Sequence, residues 1–159
     1  MKNKIILFLS SAFGAGYIKY APGTFGTLVG LIVWTLCAPV KYNLQFYWIV
    51  SILVISIIIS SLAEKIYDTK DDQRIVIDEV AGIWFTLAFL PKTFIFLFLG
   101  FVLFRFFDIK KPWIIYKMQN LKSGLGITLD DVLTGIFANF ILQIINSIFL
   151  NFLHYSQLK

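Results

Sequence analysis

Val80-Ala-Gly-Ile-Trp-Phe-Thr-Leu-Ala-Phe-Leu90-Pro-Lys-Thr-Phe-Ile-Phe-Leu-Phe-Leu-Gly100-Phe-Val-Leu-Phe-Arg-Phe-Phe107 is the stretch that decides how this chain folds. Read as one helix it would be about 42 Å long, more than a hydrocarbon core of about 30 Å requires. An interior proline removes a backbone donor and clashes with the preceding turn. A lysine follows directly, so Leu90-Pro91-Lys92-Thr93 marks a turn. The stretch therefore reads as a helical hairpin, with arms at about Ile75 to Leu90 and Phe94 to Phe107.

Charge placement agrees with the hairpin. With it, alternate loops put Lys2, Lys4, Lys19, Lys65, Lys70, Arg74, Arg105, Lys110, Lys111, Lys117 and Lys122 on one side of a bilayer, leaving Lys41, Lys92 and Lys159 on the other. The positive-inside rule assigns the first side to the cytoplasm. All nine carboxylates fall there too, whereas an unbroken span would carry Asp108, Asp130 and Asp131 across the membrane from the rest.

With 58% hydrophobic and 14% charged residues in 159, the chain has too little polar surface to cover a water-soluble globule. The expected fold is all-α, a single domain over residues 1–159. It would be a multi-pass membrane bundle of about four to five spanning or half-spanning helices, with the hairpin at 75–107. One cysteine, Cys37, excludes an internal disulfide and a cysteine-cluster zinc site. One histidine, His154, argues against histidine-based catalysis. The net charge of +5 is spread over short loops, which fits membrane topology and not nucleic-acid binding.

At the N-terminus, Lys2 and Lys4 precede Ile5 to Phe13, too short to span as a helix. A short interfacial helix is expected there. The rival reading, a cleaved signal peptide, places its cleavage region in a Gly/Pro-rich segment with a role of its own. That segment, Gly14 to Thr27, reads as a loop feeding a helix, with Thr24 as cap and free amides at the helix start suited to phosphate. Turn chemistry, with Gly26 and Gly30 as packing notches, accounts for the same residues equally well. Phe25 to Val40 and Phe46 to Ala63 follow as spans, and Glu64 to Arg74 as a solvated loop.

Two pairs of adjacent acids stand out. Asp78 and Glu79 enter an apolar run with no ion-pair partner at helical spacing, and carboxylates at the edge of hydrocarbon are costly enough to need a function. Asp130 and Asp131 open a final helix, Val132 to Leu153, after a loop through Gly124 and Gly126, where acids are also common as caps. On that helix Asp131, Gly135, Asn139, Gln143 and Asn146 form a stripe that should face protein. Gly82 lies one turn below Asp78 and Glu79. Two helices, each with acids above a glycine, are thus expected to meet at one site. Arg105 and Asp108 share a helix face, either as a structural ion pair or with Arg105 and Lys111 on phosphate oxygens and Asp108 on a cation.

Four ordered elements then carry a resemblance. They are Gly14-x-Gly16 with Ala21-Pro-Gly-Thr-x-Gly-Thr27; Asp72 through Ile75-Val-Ile-Asp-Glu-Val-Ala-Gly82; Phe104-Arg-Phe-Phe-Asp-Ile-Lys-Lys-Pro-Trp113; and Gly126-Ile-Thr-Leu-Asp-Asp-Val-Leu-Thr-Gly135. In these the chain resembles the phosphatidylglycerophosphatase A family of bacterial membrane lipid phosphatases, departing from the usual pattern at Ile114, Thr128 and Thr134 without losing a carboxylate. The resemblance implies magnesium-dependent removal of the terminal phosphate of phosphatidylglycerophosphate, giving phosphatidylglycerol. It also implies a cytoplasm-facing site in the bacterial inner membrane. Hard oxygen ligands suit Mg2+, so Asp78, Glu79, Asp130 and Asp131 are expected to hold it, with Asp72 and Asp108 in support. Arg105 and Lys111 are expected to bind phosphate, and Gly23, Thr24 and Thr27 to contact the substrate. Two rivals differ in kind. An ion-coupled transporter would place its acids near the bilayer midplane, while these cluster at one edge. A noncatalytic membrane subunit would pair them with a partner's basic residues.

Overall fold

The computed structural model describes residues 2–111 and 124–157, with side chains through Asn151. Pro112, Trp113, Ile114, Lys117 and Lys122, and the side chain of His154, lie outside the described residues. Among those described are six α-helices and no strand. They are α1 (Lys2–Ser10), α2 (Pro22–Cys37), α3 (Tyr42–Tyr67), α4 (Ile77–Leu87), α5 (Phe94–Lys110) and α6 (Gly124–Gln157), with a 3-10 turn at Ala15–Tyr17 between α1 and α2.

The hairpin exists, and its turn falls where the proline put it: α4 ends at Leu87 and α5 begins at Phe94. Its first arm departs from expectation. At eleven residues, or about 16 Å, α4 is too short to span a membrane. It is the centre of the bundle, with nine of its eleven residues buried among α2, α3, α5 and α6. An apolar run suits a protein interior as well as it suits lipid, so composition alone did not separate the two.

Close packing on α4 follows from glycine. A side chain at Gly30 of α2 would stand 2.6 Å from Ile83 Cγ2 and 3.0 Å from Val80 Cα, and one at Gly26 would stand 2.7 Å from Val76 Cβ. These residues are the packing notches of the sequence reading. The gap they leave brings Trp84 within reach of α2, where its Nε1 donates to Gly30 O at 2.9 Å. The Trp84 ring stacks on Trp48 of α3 at 5.2 Å between centroids.

Helix α4 ends inside the protein, so its last carbonyls need partners. The polar stripe of α6 supplies them: Asn139 Nδ2 donates to Thr86 O (2.8 Å) and Ala88 O (2.9 Å), and Gln143 Nε2 donates to Ala88 O (3.3 Å). At the same end Gln45 accepts from Phe89 N and donates to Pro39 O, both at 2.8 Å. Lys92 Nζ donates to Ala38 O at 2.5 Å, occupying the C-terminal end of α2. The acids gather at the opposite end. Helices α3 and α6, the latter as far as Asn151, are long and apolar enough to cross a membrane. Both keep large apolar side chains on the outside, among them Val54, Ile58, Phe140 and Ile148.

Helix α6 is already formed at Gly124, more than two turns before the Val132 start that the sequence suggested. Gly124 and Gly126 are helical, and Asp130 and Asp131 lie inside the helix, not at its cap. The cause is tertiary. A side chain at Gly124 would collide with the Ser61 amide and stand 2.6 Å from the Ile57 carbonyl oxygen, so the glycine lets α6 lie directly against α3.

Candidate active site

Two helix N-termini, one helix C-terminus and one helix interior converge on a cavity of about 370 Å³. Helix α2 contributes Pro22 and Gly23, α4 contributes Asp78 and Glu79, the end of α5 contributes Arg105, Asp108 and Lys111, and α6 contributes Asp130 and Asp131. The α3–α4 loop adds Lys70, Asp71 and Gln73. The first turn of α4 holds its two acids at the positive end of the helix dipole, which favours negative charge there.

Asp78, Glu79 and Asp131 each offer a carboxylate oxygen, and the three oxygens lie within 4.8 Å of one another. Asp78 and Asp131 are almost wholly buried, at 6% and 4% exposed. Asp78 Oδ1 has no hydrogen-bond partner among the described residues. Three carboxylates at that spacing repel one another, and removal from water adds to the cost. A hard divalent cation offsets both, and oxygen-only donors are what such an ion takes.

Glycine builds this cluster. A side chain at Gly135 would collide with Gly82 O, and one at Gly82 would collide with the Phe104 ring and stand 2.9 Å from Asp131 O. Without side chains α4 and α6 cross backbone to backbone, one turn below their acids. The meeting of two acid-over-glycine helices expected from the sequence is what the structure contains.

The remaining acids are engaged differently. Asp130, expected with the ligands, accepts from Lys111 Nζ at 2.5 Å. Burial works against the Lys111 charge, but that hydrogen bond and the charges of Asp130, Asp131 and Asp108 outweigh it and hold the ammonium up to about 12. Asp108 accepts from Arg105 Nη1 at 2.5 Å, the ion pair that the helical spacing allowed. Arg105 Nε is buried with no hydrogen-bond partner among the described residues. Asp72 does not line the cavity. Both its oxygens are taken by Arg74 at 2.7 Å, which holds its carboxyl below the usual carboxylate range.

Of the three α2 residues expected at the substrate, Gly23 lies in the cavity. A side chain there would run into Glu79 Oε1 and stand 3.2 Å from Arg105 Nη1, so only glycine leaves the space open. Thr24 is not the cap: Ala21 holds that position in the left-handed region, and Thr24 N donates to Ala21 O. Thr27 is buried and its hydroxyl donates to Gly23 O at 2.8 Å, bracing the turn from behind. In the sequence Lys70, Asp71 and Gln73 carry little sign of the cavity, because a polar loop rich in both charges reads as solvated surface. Their one signal was lying just before the Asp78 and Glu79 motif.

Fold and site together define an all-helical protein of apolar exterior, with an acidic cavity fit for a hard cation and lined also by the basic side chains of Lys70, Arg105 and Lys111. The family model for phosphatidylglycerophosphatase A matches residues 8–146. The chain belongs to that family. Proteins named phosphatidylglycerophosphatase A from Escherichia coli and Haemophilus influenzae are 32% and 37% identical to it, over 86% and 84% of this chain and 81% and 83% of their own. A Bacteroides thetaiotaomicron protein, provisionally named a phosphatidylinositol-3-phosphatase, is 32% identical over 83% of this chain and 87% of its own. No solved structure matches significantly.

Proposed function

We propose that this chain hydrolyses the terminal phosphate monoester of phosphatidylglycerophosphate with the help of Mg2+, releasing phosphatidylglycerol and phosphate. The observation that carries the reading is the convergence of Asp78, Glu79 and Asp131 within 4.8 Å in a cavity that also holds Arg105 and Lys111. Family membership supports the substrate. A transporter or a noncatalytic subunit gains nothing from a cavity in which acids and cations converge at one end of the bundle.

Asp78, Glu79 and Asp131 would hold the cation, which when bound supplies positive charge and Lewis acidity at the phosphate. The protein's own groups do the rest. Arg105 keeps one nitrogen on Asp108 and turns its buried Nε to a phosphate oxygen, and Lys111, tethered by Asp130, neutralises another. Gly23 lets the phosphate approach the N-terminus of α2, whose dipole favours an anion. Asp78 and Asp131 on the cavity floor are themselves buried, out of the bulk water in which their interaction with a cation would weaken.

Purified protein should release phosphate from phosphatidylglycerophosphate in mixed micelles when Mg2+ is present and stop when the ion is chelated. No release with Mg2+ would refute the reading. If Arg105 bridges Asp108 and phosphate through different nitrogens, Arg105→Lys should lose about tenfold or more in kcat/KM at unaltered Mg2+ dependence, because a point charge does not reproduce the directed contacts of a guanidinium. Wild-type kinetics would reduce Arg105 to the structural partner of Asp108. The site should face the cytoplasm of the bacterial inner membrane. Thiols introduced by Lys70→Cys and Asn43→Cys should then label from the cytoplasmic and the opposite side, and labelling of both from one side would overturn the topology.

A further inference from the structure

The cavity has a charged floor and a mouth of different chemistry. Asp78, Asp108, Asp130 and Asp131 are buried at the floor, while Lys70, Asp71 and Gln73 are exposed at the rim. Among the described residues that line it, Gln73 is the one neutral hydrogen-bonding side chain. The other polar side chains described there carry charges suited to a cation or a phosphate.

The segment that bears Gln73 is held on both sides. Glu64 Oε1 accepts from Asp71 N at 3.0 Å, and Asp72 clamps Arg74 through both its oxygens. The Arg74 guanidinium lies 3.7 Å over the Tyr67 ring, and the Tyr67 hydroxyl meets that of Tyr17 at 2.9 Å. Ile75 N returns to Asp72 O, and Val76 N to Ser10 O, each at 2.8 Å. The loop backbone is therefore held in place, and it sets Gln73 at the cavity mouth with little backbone freedom to lose on binding.

A lipid whose terminal phosphate reaches the floor leaves the group next to that phosphate at the rim. In phosphatidylglycerophosphate this group is a glycerol whose single free hydroxyl sits between two phosphate-bearing carbons. Phosphatidylinositol 3-phosphate, as a compound, contains the same unit, a ring hydroxyl flanked by two phosphate-bearing carbons. A hydroxyl both donates and accepts, and a carboxamide is the side chain that answers both. We propose that Gln73 is a specificity-determining residue, whose amide hydrogen-bonds the hydroxyl between the two phosphates and so selects lipids with that spacing. The inference rests on the phosphatase reading above and extends it from the phosphate to the polyol.

The test crosses a protein change with a substrate change. Phosphate release is measured for the full chain and for Gln73→Ala, each on phosphatidylglycerophosphate and on its analogue with propanediol in place of the linking glycerol, which lacks that hydroxyl. With Gln73 present, loss of the hydroxyl should lower kcat/KM about fivefold or more. In Gln73→Ala the same loss should cost less than twofold, and the variant should match the parent on the analogue, which also reports that it is folded. An equal cost of the hydroxyl in both proteins, or a variant impaired equally on both lipids, would overturn the assignment. A parent chain inactive on both lipids would instead overturn the phosphatase reading, and this inference with it.

Discussion

Asp78→Asn, Glu79→Gln and Asp131→Asn are each expected to lower phosphate release by about a hundredfold or more. Each change keeps the shape of the side chain and removes one of the three negative charges that converge within 4.8 Å. A phosphate monoester is among the slowest of uncatalysed hydrolyses, so electrostatic help at the phosphate is a large part of what a catalyst offers. The same variants should move stability the other way. In the absence of divalent cation the three carboxylates repel one another in a buried site, and an amide relieves that repulsion. Asp131→Asn should therefore unfold at a higher temperature than the parent in chelator, while responding less to added Mg2+. Asp72→Asn, whose carboxylate belongs to Arg74, should retain most of the turnover. Near-parental activity in all three cluster variants would remove the proposed site, whatever their stability.

Gly135→Ala is expected to be nearly as damaging, for a mechanical reason. The added methyl would collide with the carbonyl of Gly82 and stand 3.1 Å from Phe85 Cβ. The first of these is backbone inside α4, where nine of eleven residues are buried, so no rotamer change relieves it. Helix α6 must move off α4, at a cost of about 1–3 kcal/mol. Asp131 lies one turn above the contact and would be drawn from Asp78 and Glu79. Thermal unfolding in detergent should show the loss of stability, and turnover should fall well beyond it. Ile136→Ala is the control, since its side chain is 46% exposed and faces outward. Equal unfolding temperatures and rates for Gly135→Ala and the parent would show that α4 and α6 do not depend on this crossing.

Much of this arrangement was legible because it depends on local rules. The proline and lysine at 91 and 92 ended a helix that apolarity alone would have continued. Glycines one turn below paired acids identified the faces that meet, and the polar stripe of α6 had to face something other than lipid. What escaped the sequence was tertiary. Gly124 reads as a helix breaker until Ser61 and Ile57 of α3 lie against it, and that contact carries α6 past Asp130 and Asp131. The apolar residues of α4 are the same whether covered by lipid or by four helices. Asp72 carries no mark in the sequence that its charge goes to Arg74 two residues on, and Asp130 none that it belongs to Lys111. The first pairing is set by the turn that returns Ile75 N to Asp72 O, the second by the packing of the end of α5 against α6.

Divalent-cation binding by the purified, detergent-solubilised chain tests the central claim most directly, because it needs neither substrate nor turnover. Mn2+ is a suitable probe, since it shares the oxygen preference of Mg2+ and is visible by electron paramagnetic resonance. The account predicts saturable binding, competed by Mg2+, that is lost or weakened at least about tenfold in Asp78→Asn and in Asp131→Asn and retained in Asp72→Asn. Binding of parental strength in Asp78→Asn and Asp131→Asn would contradict it.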